Sequence, residues 1–151
     1  MTTISELYEA FGQINLREDL QILILENGTA IAELVESQLE QGKLGNDTKI
    51  APTYANKYYS KKKYGMNPTP GYGVPDLKVT GEYYKGIGVA IRSADEYVIE
   101  SDVPYALQPS ITQYGDELLA LSDENKQIYC NDTLGPAISD YILEKTGIVL
   151  T

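Results

Sequence analysis

The chain has 151 residues, one cysteine, no histidine and a formal net charge of −10. That length fits one domain whose core takes roughly 68–70% of the unfolded surface out of water, and the 42% hydrophobic fraction speaks against disorder throughout. Without histidine there is no imidazole to act as base or ligand, which excludes the serine, cysteine and zinc mechanisms that need one.

Ile4 to Phe11 reads as a short amphipathic helix with Ile4, Leu7, Tyr8 and Phe11 on one side, capped by Thr3 with Glu6 three residues on and ended by Gly12. Leu16 to Gln41 is the longest element. Leu20, Ile24, Ile31, Val35 and Leu39 fall near one stripe, while Glu18, Glu26, Glu33, Glu36 and Glu40 lie largely elsewhere. Asn27-Gly28 interrupts it, since a glycine costs about 1 kcal/mol against alanine inside a helix. A hairpin at Asn27-Gly28 is the rival reading. No alternating partner strand follows, so a helix with room for a bend near Gly28 is expected.

Asn46 to Asp76 differs in kind. It holds four of the seven prolines, and seven of the thirteen tyrosines fall between Tyr54 and Tyr84. Tyr54 to Tyr64 has room for two or three helical turns, whereas Met66 to Pro75 cannot be helix, because each proline lacks a donor and restricts its predecessor. A thirty-residue loop in a compact domain is unusual, so a contact arm is expected, the alternative being a tyrosine-rich flap on its own domain. Thr80 is placed to cap a short turn holding Tyr83 and Tyr84. Gly86–Arg92 and Glu96–Ser101 alternate as strands joined by Ser93-Ala94-Asp95. A short helix over Leu107–Tyr114 follows, then an apolar Leu118–Leu121, a helix capped by Ser122, an interruption at Gly135-Pro136, and a last helix over Ala137–Lys145 closed by Gly147. Ile148 to Leu150 trails off as an apolar tail. The fold class is therefore α+β: a long N-terminal helix on a small antiparallel sheet, an irregular arm at about 46–76, and C-terminal helices, in a single domain over 1–151.

Charge is polarised along the chain. Seven lysines between Lys49 and Lys85 face only Asp76 and Glu82, a local +5 that leaves −15 on the rest. Such a chain can dock head to tail or set a basic face on a phosphate or an acidic partner; otherwise the lysines simply solvate a loop. The lone Cys130 forms no disulfide within the chain, suits a reducing compartment, and is expected as a buried structural thiol. Met1–Glu6 lacks the features of a signal peptide, and Ile22–Leu25, the longest apolar run, is too short to span a bilayer, so no membrane partner is expected. The three Asn-x-Thr triplets are then read as chance.

Chemistry is sparse. The pairs Glu18-Asp19, Asp95-Glu96, Asp116-Glu117 and Asp123-Glu124 sit where helix starts and turns want acids, so a two-carboxylate hydrolase is not indicated. Gly71-Tyr-Gly73 and Gly86-Ile-Gly88 lack the spacing and ending of phosphate loops. The lysines and tyrosines of Lys57–Tyr64 match a loose recipe for single-stranded nucleic acid, charge plus stacking rings. No metal or cofactor is expected.

Thr80, Gly81, Tyr83, Gly86 and Ile87, within the run from Pro75-Asp-Leu-Lys-Val-Thr-Gly-Glu-Tyr-Tyr84 into the strand, carry a Thr-Gly-x-aromatic pattern just before a sheet, preceded by the basic Ser60-Lys-Lys-Lys-Tyr64. Over residues 16–102 this order resembles small neck, tail-completion or minor tail proteins of tailed bacteriophages. The C-terminal third departs from it, since those chains often end soon after the sheet. The resemblance implies a non-enzymatic structural subunit of a virion, assembled in the host cytoplasm as a homo-oligomeric ring at the head–tail connector or on the tail. Its partners would be copies of itself and portal, adaptor or tail proteins, with nucleic acid as the alternative. The residues expected at subunit contacts are Tyr54, Tyr58, Tyr59, Lys61, Lys62, Lys63, Tyr64, Tyr72, Thr80, Gly81, Tyr83 and Tyr84. The arm is expected to lie on an acidic surface of a neighbouring subunit.

Overall fold

The computed structural model describes residues 3–93 and 96–149. The first helix, α1 (Ile4–Gly12), opens on a capping box: the Thr3 hydroxyl accepts the Glu6 N–H at 3.2 Å, and the Glu6 carboxylate accepts the Thr3 N–H at 2.7 Å. The long element is two helices, α2 (Leu16–Glu26) and α3 (Gly28–Glu40). The break falls at Asn27, whose backbone leaves the helical region at φ −105° and ψ 18° while its N–H and its side-chain amide both donate to the Leu23 carbonyl, at 3.1 and 2.8 Å. The expected stripe nonetheless faces inward across both pieces, with Ile24, Ile31, Val35 and Leu39 buried and Leu20 and Leu34 packed beside them.

Two strands, β1 (Ile87–Ser93) and β2 (Glu96–Ser101), pair antiparallel with Ile87 opposite Ser101, Val89 opposite Ile99 and Ile91 opposite Tyr97. Helices plus this two-stranded sheet make an α+β chain. Gly28 lies against Val89, so α3 meets β1 closely. Of the connection Ser93-Ala94-Asp95, Ala94 and Asp95 lie outside the described residues, as does Leu150 of the tail. One β-pairing irregularity lies between Ile91 and Ser93.

Asn46–Asp76 does not reach away from the domain; it folds back on the end of α3. The helix within it, α4 (Lys57–Met66), starts at Asn56, whose side chain accepts the Tyr59 N–H at 3.0 Å. Ile50, Pro70 and Pro75 are among the most fully buried side chains of the protein. The Ile50 N–H donates to Gly42 at 2.8 Å, the Asn67 amide donates to Glu40 at 2.9 Å, and the Tyr54 N–H donates to Gly73 at 2.8 Å. The contact arm expected from composition is thus a flap on its own domain. Pro70, which cannot join a helix or sheet, fills the space beside Gly42 with Val74 instead.

Thr80 lies just ahead of the short helix α5 (Glu82–Lys85) and its hydroxyl accepts the Glu82 N–H at 3.4 Å, but the cap position belongs to Gly81, at φ +87°. The helix expected over Leu107–Tyr114 shortens to α6 (Pro109–Thr112), and Leu107 is exposed. Ser122 caps α7 (Asp123–Tyr129) as expected. That end is clipped to α3 by the buried Gln38, whose amide donates to the Ala120 carbonyl at 2.9 Å while its oxygen accepts from the Ser122 N–H and the Asn125 amide, at 2.9 and 2.6 Å. Gly135-Pro136 does not interrupt the helical path. A π turn over Cys130–Leu134, closed by the Gly135 N–H on the Cys130 carbonyl, carries it into α8 (Gly135–Thr146) with Pro136 in the first turn, where no N–H is needed. Cys130, expected buried, is exposed at the start of that turn. Gly147, at φ +73°, closes α8.

Candidate subunit-contact surface

Of the twelve side chains expected at contacts, three lie inside the chain. Lys63 is buried on the inner side of α4, its ammonium 2.7 Å from the Asp76 carboxylate and donating to the Lys78 carbonyl at 2.5 Å. Asp76 also accepts from the Asn67 amide at 3.2 Å and the Lys78 N–H at 3.0 Å, so its oxygens are satisfied without water. Tyr84 is buried and donates its hydroxyl to the Asp76 carbonyl, with the Lys78 ammonium 5.4 Å from its ring centre. Tyr83 is buried and stacks on Tyr105, ring centres 6.4 Å apart. These three are corrections to the expected contact set. A lysine in a basic run and tyrosines in a turn read as solvent-facing, yet each finds an internal partner from a different segment.

The others reach the surface in two groups. On the outer face of α4 and its neighbour loop, Tyr58, Lys61, Lys62, Tyr64 and Tyr72 are exposed. Tyr64 and Tyr72 meet with ring centres 5.9 Å apart, and the Tyr72 hydroxyl donates to the Lys57 carbonyl at 3.1 Å, which ties this loop to α4. The second group is a cleft of about 500 Å³ between α4, the 77–83 stretch and α6. Tyr54 and Tyr59 line it edge to face, at 4.9 Å and 82°, together with Tyr83, Tyr105, Ile111 and Tyr114. Thr80 and Gly81 line it too. Burial pushes the Tyr83 phenol up to about 12 and raises Tyr54 and Tyr114 as well, with the Asp76 charge adding to the Tyr54 shift. At neutral pH the cleft therefore offers protonated hydroxyls on aromatic walls, able to donate a hydrogen bond and bury a ring at once.

A third surface was not marked as a contact. α1 buries no residue fully. α1 meets α8, and Leu7 and Ala10 are half-buried, while Ile4 and Tyr8 are 86% and 80% exposed and Phe11 is half-exposed. Leu16, Ile22 and Leu25 of α2 are also about half-exposed. The amphipathic period of α1 was legible; that its own chain covers only part of the stripe was not. Tyr105, Ile111 and Tyr114 of the cleft were missed too, since their role depends on approach to a distant segment.

Among the described residues no group of three or more Asp, Glu, Cys or His side chains is placed to hold a metal ion, and no helix is long and apolar enough to cross a membrane. No protein-family model matches the chain, and no match is found among curated proteins or among solved structures.

Proposed function

We propose that the chain is a non-enzymatic, self-associating structural subunit of a tailed-bacteriophage particle, forming a ring at the neck or tail as a head–tail connector or tail-completion component. The phage setting rests on the Thr80-Gly81-x-Tyr83 pattern ahead of the sheet. In this reading the broken N-terminal helix lying over the β-hairpin is the body of the subunit. The observation that carries self-association is the run of apolar side chains on α1 and α2, Ile4, Tyr8, Phe11, Leu16, Ile22 and Leu25, that the chain leaves uncovered. Exposed large apolar side chains gathered on one amphipathic helix, as on α1, are what an interaction surface requires. The charge polarity between a basic α4 region and acidic helices favours unlike surfaces meeting, the head-to-tail geometry that gives a ring when its rotation closes. Sedimentation velocity and native mass spectrometry of the full chain test this. A discrete species of several copies is expected; a monomer across micromolar concentrations and low to high salt refutes it. Mass spectrometry of purified particles from a phage encoding the chain tests the virion location.

The outer face of α4 supports a second reading, a nucleic-acid-binding module. Lys57, Tyr58, Lys61, Lys62 and Tyr64 are all exposed there, charge beside rings. Binding of labelled single-stranded DNA that weakens steeply with salt, and that Lys61→Ala/Lys62→Ala reduces, is the expected signature of that reading. Salt-independent or absent binding removes it.

A further inference from the structure

We propose that the Ile4–Tyr8–Phe11 face of α1 docks into the tyrosine cleft of a second copy of the chain, head to tail; this rests on the self-associating reading above. Three observations converge.

The first concerns the donor. Ile4, Tyr8 and Phe11 follow the i, i+4, i+7 spacing by which an amphipathic helix presents anchors to a groove. All three are exposed, and the Thr3–Glu6 capping box holds the helix formed before any partner arrives. Little ordering entropy is then lost on docking.

The second concerns the acceptor. The cleft falls within the roughly 300–1,000 Å³ range of pockets that enclose small ligands. Its walls are mainly aromatic and apolar, the composition that hot-spot pockets favour. Its hydroxyl groups can meet the Tyr8 hydroxyl.

The third is charge. α1 carries Glu6 and Glu9 and no basic residue. α4, which supplies Tyr59, carries exposed Lys57, Lys61 and Lys62 and no acidic residue. Glu82 lines the cleft as well, so α1 is oriented with its glutamates toward the α4 side. Donor and acceptor are different surfaces of one chain, built on α8 and α4 respectively, so the contact is heterologous and propagates.

The test uses two full-length variants. Ile4→Ser/Tyr8→Ser strips the donor at its two most exposed positions, and Ser110→Trp fills the cleft from an exposed position on α6. Each should weaken self-association by about tenfold or more in sedimentation velocity, as loss of a central anchor cluster does, with thermal melting unchanged. Mixed together, the two should form a one-to-one dimer that neither forms alone, because one retains the cleft and the other retains α1. Disulfide cross-linking of a Tyr8→Cys/Ser110→Cys chain in a Cys130→Ser background should give a ladder of multimers, and this readout does not depend on destabilising the contact. If wild type assembles and either variant assembles equally well, or the mixture gives no dimer and the cross-link no ladder, the docking mode is overturned while self-association stands. If wild type is itself monomeric, the self-associating reading fails and the docking mode with it.

Discussion

The Lys63–Asp76 pair should be the most sensitive ionic contact in the protein. Its two side chains are only 8% and 3% exposed, and the pair joins α4 to the segment that leads into Tyr84 and β1. Asp76→Ala removes the 2.7 Å contact and the acceptors used by Asn67 and the Lys78 N–H, leaving the Lys63 ammonium buried against one carbonyl, that of Lys78. Breaking one side of a buried pair costs about 3–5 kcal/mol, because the remaining charge stays desolvated. At ~2–4 °C per kcal/mol for a chain of this size, the melting temperature should fall by roughly 6–20 °C. Lys63→Met/Asp76→Ala removes the stranded charge as well and should recover much of the loss, since a buried pair is worth little more than apolar packing of like volume. Urea unfolding of the wild type, both single variants and the double variant gives the coupling energy, expected to be about 2 kcal/mol or more. The reasoning is refuted if Asp76→Ala costs less than about 1 kcal/mol, or if the two single effects simply add.

Gly42 sits at φ +67° with the position of a Cβ only 2.5 Å from Pro70 Cβ, so Gly42→Ala should cost more than the ~1–2 kcal/mol of a left-handed alanine alone and should loosen the 46–76 flap, read as faster amide exchange at Ile50 and Tyr54. The Tyr129 hydroxyl is buried without a hydrogen-bond partner among the described residues, so Tyr129→Phe should leave stability unchanged or raise it by up to ~1 kcal/mol in urea unfolding; a clear loss would reveal a partner. Burial holds Tyr83 protonated in the folded chain up to about pH 12, against an ordinary phenol value of 10.0, and raises Tyr54, Tyr84 and Tyr114 as well. Because the folded values lie above the unfolded ones, this contribution is fully present below pH 10 and is lost as pH climbs from 10 toward 12. The last part of the tyrosinate absorbance rise, that of the buried rings, should therefore coincide with the loss of far-ultraviolet circular dichroism; full ionisation of all tyrosines with the helices intact would contradict the burial.

The elements that sequence located well are those whose causes lie within a few residues. The Thr3–Glu6 box, the Ser122 cap, the Gly147 stop and the second strand are written in neighbouring side chains and backbone preferences, and each stands where it was read. Asn27-Gly28 announced a weak point, but a glycine costs a helix only about 1 kcal/mol, so only the fold resolved it into a break. The candidate site was legible in part. Exposure of Tyr58, Lys61, Lys62 and Tyr64 follows from the polar character of α4, whereas the cleft needed Tyr105 and Tyr114 from far along the chain.

What the sequence determined by itself was therefore the type and approximate extent of most elements, the inward stripe of α2 and α3, and the separation of basic and acidic regions, all set by periodicity, capping and composition. Tertiary structure alone decided which surfaces were covered. Lys63 went inside because Asp76 came within 2.7 Å of it, and the Pro-rich segment became a flap because Gly42 left space for Pro70. Cys130 was left exposed at the start of a π turn, and Ile4 and Tyr8 stayed in water although α1 meets α8. Burial is a property of two surfaces meeting, and the second surface in each case belongs to a segment that local sequence does not name.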